Sequence, residues 1–136
     1  MRVRATITFS VPTRPNLVFY SKDRADKFRD EQVLFPAPDF VVEILSRSTS
    51  ARDRGIKLKD YAAHGIQEYW IIDPVKQHIE QYILFLPTDK VYSPAKIFRR
   101  HEDVESRVIK GFVIPVQAIF DEATNLEVLQ ELLATN

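Results

Sequence analysis

The sequence predicts an α/β domain: a central mixed sheet, one main crossover helix packed against it, and a small C-terminal helix. Three observations carry that prediction. Apolar and polar residues alternate near the N-terminus, as in a half-buried strand. Residues 39–45 (Asp-Phe-Val-Val-Glu-Ile-Leu) form a short apolar run. A helical segment separates that run from a second one at 67–73 (Gln-Glu-Tyr-Trp-Ile-Ile-Asp). Strand, helix and strand in succession imply a right-handed parallel crossover, because parallel neighbours need a connection that returns over the sheet.

Each element has its own signal. In residues 2–9, Val3, Ala5, Ile7 and Phe9 alternate with Arg2, Arg4, Thr6 and Thr8. Pro12 and Pro15 frame a turn, and 16–20 (Asn-Leu-Val-Phe-Tyr) returns as an antiparallel neighbour. The charged stretch 22–32 is expected to be a short exposed helix. Pro36 and Pro38 stiffen the entry to strand 39–45. Ser50, with Asp53 three residues on, has the pattern of a capping box that starts a helix. That helix is expected to run to His64, where Gly65 supplies a left-handed stop. Pro74 ends strand 67–73. Residues 79–86 and 90–98 suggest a hairpin, and 104–110 a short strand. Apolar positions 126, 128, 129, 132 and 133 make a helical stripe.

Composition narrows the chemistry. The chain has 136 residues, the size of one domain, with no repeat to divide it. Nineteen basic residues balance nineteen acidic ones, so a polyanion must be met by a local patch. The lack of cysteine excludes disulfides, thiol nucleophiles and Cys-ligated zinc. It fits a reducing cytoplasm, the expected location. The three glycines, Gly55, Gly65 and Gly111, form no Walker A, GxGxxG or GxSxG pattern. A nucleotide cofactor is therefore not expected. His64, His78 and His101 form no HExxH. No apolar run nears the ~18 residues of a membrane span, so no membrane association is expected.

Glu43 is the first candidate for chemistry. It sits in the middle of an apolar strand, where a carboxylate is costly unless paired, hydrogen-bonded or bound to a metal. Asp39, Val41, Glu43 and Leu45 share one face of that strand. Asp39 lies ~13 Å away along the strand, too far for both acids to grip one ion directly. Asp39 is equally suited to accept hydrogen bonds at a turn. Asn16, opening the preceding strand, is the natural source of a second metal ligand. On the helix, Lys57 and Tyr61 share a face at i and i+4. Lys57 either reaches back to Glu43 or covers apolar surface with its stem. Arg47, Arg52, Arg54, Lys57 and Lys59 make a local basic stretch suited to phosphates, or a solvated helix face beside Asp53 and Asp60.

Together these residues resemble a known family. The blocks are Pro38-Asp39-Phe40-Val41-Val42-Glu43-Ile44-Leu45-Ser46, then Ser48-Thr49, Asp53, Lys57, Tyr61 and Gly65, then Glu68-Tyr69-Trp70-Ile71-Ile72-Asp73-Pro74. In order and spacing they resemble the Uma2 family (DUF820), endonucleases of the PD-(D/E)XK, restriction-endonuclease-like superfamily. The resemblance covers roughly residues 14–120. It implies a restriction-endonuclease-like core and Mg²⁺-dependent hydrolysis of DNA phosphodiester bonds, with Mn²⁺ as a substitute ion.

Residue by residue, Glu43 matches the acid of the (D/E)XK motif. The motif's lysine position falls on Leu45, and Lys57 matches the lysine relocated to the helix. Asp39 matches the family's second Pro-Asp pair. The resemblance thus implies Glu43, Lys57 and Asp39 as catalytic residues and Glu43, Asn16 and Asp39 as metal ligands. Arg47, Arg52, Arg54, Lys57, Lys59 and Tyr61 are the expected DNA contacts. Two departures stand out. Asn16 replaces an aspartate that relatives carry, and the N-terminal portion usual in relatives is expected to be missing. Both favour the alternative reading, a catalytically degenerate nuclease-fold module for binding or dimerisation. Val33-Leu34-Phe35 and the C-terminal stripe would serve a homodimer or the core equally well.

Overall fold

The computed structural model describes residues 2–4 (backbone), 17–32, 35–46 and 50–121. Six strands form one sheet in the order β1-β2-β3-β4-β5-β6. They are β1 (Arg2–Arg4), β2 (Leu17–Tyr20), β3 (Phe40–Ile44), β4 (Glu68–Asp73), β5 (His78–Ile83) and β6 (Lys96–Phe98). β3 and β4 are parallel and the other neighbours antiparallel. β7 (Asp103–Glu105) and β8 (Val113–Pro115) pair as a small second sheet. The helices are α1 (Lys22–Ala25), α2 (Ser50–Asp53), α3 (Ile56–Ala63) and α4 (Val116–Phe120).

The parallel β3–β4 pair spanned by α2 and α3 is the crossover the sequence predicts. Two details differ. The single helix expected from Ser50 to His64 is broken at Arg54–Gly55 into α2 and α3. A Cβ at Gly55 would come within 2.8 Å of the Ala51 carbonyl oxygen, so the break brings two backbone segments together where only glycine fits. α3 then ends as predicted at Gly65, whose φ is +77°. Gly65 N–H donates to the Ala62 carbonyl and Ile66 N–H to the Tyr61 carbonyl, satisfying two end carbonyls.

The other differences lie beyond the crossover. The helix expected over 22–32 closes after Ala25. β5 pairs with β4 as well as β6, and the β4–β5 turn is held by Asp73 Oδ1, which accepts from the N–H groups of Val75 and Lys76. β8 and α4 carry no sequence prediction, and the C-terminal stripe at 126–133 lies outside the described residues.

Strand alternation sorts the core into two faces. Val18, Val41, Tyr69 and Ile71 pack with Tyr61, Ala62 and Ile66 under α3. Phe40, Val42, Trp70, Ile72 and Ile79 pack with Val104 and with Val116 of α4 on the other side. Each fully buried large apolar side chain contributes about 1.5–3 kcal/mol. On the α4 side, Glu68 is fully buried. It accepts from Trp70 Nε1, Gln81 Nε2, the Ser106 hydroxyl and the N–H groups of Arg107 and Val108. It thereby ties the end of β7 to the main sheet. Phe35 packs edge-on against Phe28 beside the α3-side core, while Val33 and Leu34 lie outside the described residues.

Candidate active site

The β3–β4–β5 register sets the site. Glu43 pairs with Ile71, and Ile71 with Glu80, so both acids point to the α3 side of the sheet with Ile71 between them. Above this row lie α2 and α3. Asp53, Lys57 and Tyr61 are spaced four apart, and all three are buried.

Glu43 and Lys57 meet. Lys57 Nζ lies 3.4 Å from Glu43 Oε1 and 2.9 Å from Asp53 Oδ1. The Tyr61 hydroxyl donates to Glu43 Oε1 at 2.7 Å. Glu43 is 2% exposed and Asp53 fully buried. Burial pushes the Glu43 carboxyl above the usual carboxylate range, although the Tyr61 hydrogen bond and the Lys57 charge pull the other way. Asp53 Oδ1 has Lys57 as an ion-pair partner, and neither Asp53 oxygen accepts a hydrogen bond among the described residues. The cluster is thus two buried carboxylates facing one ammonium, with lone pairs still unmatched on Asp53.

The sequence pattern gives Asp53 only a capping role, and the structure places it in the cluster. Its spacing from Lys57 and Tyr61 was visible. What hid it is that α2 begins at Ser50, which leaves Asp53 at the end of its turn and aimed into the protein.

Asp39, expected as a ligand and catalytic group, has different partners. Its Oδ2 accepts from Ser21 N–H and its Oδ1 from Arg24 Nη1, each at 2.7 Å. Both oxygens are held by the start of α1, the turn-acceptor alternative. Among the described residues, Asp39 makes no ion pair or hydrogen bond with Glu43, Asp53 or Lys57. Asn16 and Arg47 lie outside the described residues. Arg52 and Lys59 are exposed on the outer surface.

Arg54, expected to meet DNA, turns inward. Its Nη2 contacts Asp73 at 3.2 Å and makes a close contact with Glu80 Oε2, and its Nε donates to Glu80 Oε2 at 3.1 Å. Burial alone would raise both acids. The Lys76 N–H and Arg54 outweigh it at Asp73, and Arg54, His78 and Tyr82 outweigh it at Glu80, so both sit below their usual range.

Asp73, His78 and Glu80 also place ligand atoms within 4.8 Å of one another. This group could hold a cation, but Arg54 already supplies positive charge to both of its acids. His78 Nε2 lies 3.1 Å from Glu80, and its buried Nδ1 has no hydrogen-bond partner among the described residues. A ligating histidine normally has its second nitrogen engaged. Each acid group thus already has a cation beside it, Arg54 at Asp73 and Glu80 and Lys57 at Glu43 and Asp53.

A family model described as "Putative restriction endonuclease", Uma2, matches residues 2–117. The chain belongs to the Uma2 family. A crystal structure from Anabaena variabilis ATCC 29413, described as "a putative nuclease belonging to DUF820", has a similar fold, with a TM-score of 0.63. The two sequences are 21% identical, and the match covers 79% of this chain and 59% of that one. This Uma2 protein thus spans about three-fifths of that neighbour's length. No curated protein matches it. Among the described residues, no helix is long and apolar enough to cross a membrane.

Proposed function

We propose that this Uma2 protein is a divalent-metal-dependent endonuclease that hydrolyses DNA phosphodiester bonds. The observation that carries this reading is the meeting of Glu43 from the central strand with Asp53 and Lys57 from the crossover helices. The donor set fits Mg²⁺, a hard cation that takes oxygen ligands. Glu43 and Asp53 would hold it, and Asp53 Oδ2, which accepts no hydrogen bond among the described residues, is what such an ion would satisfy. When bound, the ion supplies positive charge against the phosphate and makes water a stronger nucleophile. Lys57 Nζ offers a fixed positive charge to the negative charge that develops on the phosphate. Tyr61 orients Glu43 by holding one oxygen. Asp39 keeps β3 in place from its N-terminal end through Arg24. The exposed Arg52 and Lys59 meet the backbone phosphates, which set register rather than sequence preference.

The test is cleavage of supercoiled plasmid and labelled oligonucleotides with Mg²⁺ or Mn²⁺. Wild type cleaves, Glu43→Gln, Asp53→Asn and Lys57→Met do not, and Asn16→Asp cleaves faster. Calorimetry finds Mg²⁺ binding that Glu43→Ala loses. A wild type inert on every DNA would overturn the enzyme reading. One observation favours the second reading, a nuclease-fold binding module: Lys57 already stands between both acids. DNA binding without cleavage, unchanged by Glu43→Gln, would establish it.

A further inference from the structure

A cavity of about 410 Å³ opens beside α3, on the side of β5. Its lining includes Leu58, Lys59, Ala62, Tyr82, Lys90 and Tyr92. The volume falls within the ~300–1,000 Å³ of small-molecule sites. The chemistry of its walls is unusually divided. Tyr92 donates its hydroxyl to the Ile66 carbonyl at 2.7 Å, and Tyr82 to Glu80 Oε1 at 2.9 Å. Both hydroxyls are therefore spent on protein acceptors, and what the two rings add to the cavity is aromatic carbon. Their centroids lie 6.0 Å apart. The charge at the cavity comes from Lys59 and Lys90, both exposed. Neither has an ion-pair partner among the described residues.

A ligand for such walls must be flat and apolar in one part and anionic in another. We infer that this cavity is a nucleobase pocket, which seats a base of a single-stranded segment while Lys59 and Lys90 hold its phosphates. The inference rests on the nucleic-acid reading above and deepens it. One helix serves both places: Lys57 enters the acid cluster, while Leu58 and Lys59, the next residues, line the cavity. Tyr82 also reaches the Arg54 clamp, since Glu80 accepts from both. On this proposal a strand bound along α3 places one of its nucleotides over the cavity. Aromatic walls accept any base, because every base has a stackable face.

The experiment uses the full chain in EDTA, so that no cleavage intervenes. Binding of a single-stranded oligonucleotide carrying 2-aminopurine is read by fluorescence, and binding of thymidine monophosphate, thymidine and inorganic phosphate by the Tyr82 and Tyr92 ring resonances. The expected results are quenching of the fluorophore and ring shifts with thymidine monophosphate that inorganic phosphate does not reproduce. Lys59→Glu/Lys90→Glu, and Val91→Asp at an exposed residue that also lines the cavity, are expected to leave the melting temperature unchanged and to weaken oligonucleotide binding about tenfold or more. Glu43→Gln retains the binding. An abasic strand that binds as tightly as the base-bearing one overturns the pocket. So does octanoate that shifts the rings while thymidine monophosphate does not. Thymidine monophosphate bound by a wild type that cleaves nothing leaves the pocket standing and removes the nuclease. Cleavage that is indifferent to the pocket variants and to abasic substitution removes the pocket alone.

Discussion

Replacing Lys57 by methionine keeps the length of the side chain and removes its ammonium. In the folded protein that ammonium lies 3.4 Å from Glu43 and 2.9 Å from Asp53. Its own side chain is 8% exposed and those of its partners 2% and 1%, so solvent does little to screen the pair. Methionine leaves two acids buried with no cation beside them. Removing one partner of a buried ion pair costs about 3–5 kcal/mol. At roughly 3 °C per kcal/mol for a domain of this size, the melting temperature falls by about 10–15 °C. Calorimetric or circular-dichroism melts in EDTA measure this. Repeating the melt in excess Mg²⁺ tests the second half of the argument. The ion and the ammonium compete for the same oxygens, so Lys57→Met gains more from Mg²⁺ than wild type does. Adding Glu43→Gln to Lys57→Met recovers part of the loss, because one uncompensated acid is gone. A variant that melts within about two degrees of wild type would refute the buried-pair argument. An equal response to Mg²⁺ would refute the competition.

Three further outcomes follow from the geometry. Tyr61→Phe removes the hydroxyl that holds Glu43, a charge-assisted hydrogen bond of about 1.5–3 kcal/mol, and is expected to lower stability by that amount and the cleavage rate about tenfold; an unchanged rate would exclude an orienting role. Asp73 and Glu80 sit below their usual range in the fold, so their contribution is present above the unfolded values near ~4 and is lost as pH falls through the folded ones. Urea titrations from neutral to acid pH should therefore show a drop in stability that Glu80→Gln makes shallower. Gly55→Ala drives a Cβ to 2.8 Å from a backbone oxygen and is expected to cost about 1–3 kcal/mol in a denaturant titration.

The crossover was legible because its signals are local. Alternation placed Val41 and Glu43 on one face of β3, a left-handed Gly65 closed α3, and the helix spacing put Lys57 and Tyr61 together. The break at Gly55 was not, since it depends on how close Ala51 comes, which no pattern of residue types encodes. α4 escaped for a related reason. Five residues make little more than one turn, and Val116 is fixed by packing against Trp70 and Val104 from distant strands. The inward turn of Arg54 is invisible in the sequence, because a basic cluster reads alike whether it faces solvent or protein. Only the strand register brings Glu80 under it. Asp39 matched a family position, yet its partners on α1 are set by a loop whose path the sequence does not show.

Glu68 carries a last consequence. Among the described residues it is clasped by N–H and O–H dipoles, without the charged group of a lysine or arginine. Mobile ions weaken attraction between charges far more than they weaken directed bonds in a dry interior. The seam joining the two sheets should accordingly ignore ionic strength, whereas the partly solvated Arg54 clamp should loosen in brine. The Glu68 seam and the Arg54 clamp, on opposite faces of the same sheet, should thus answer to salt differently.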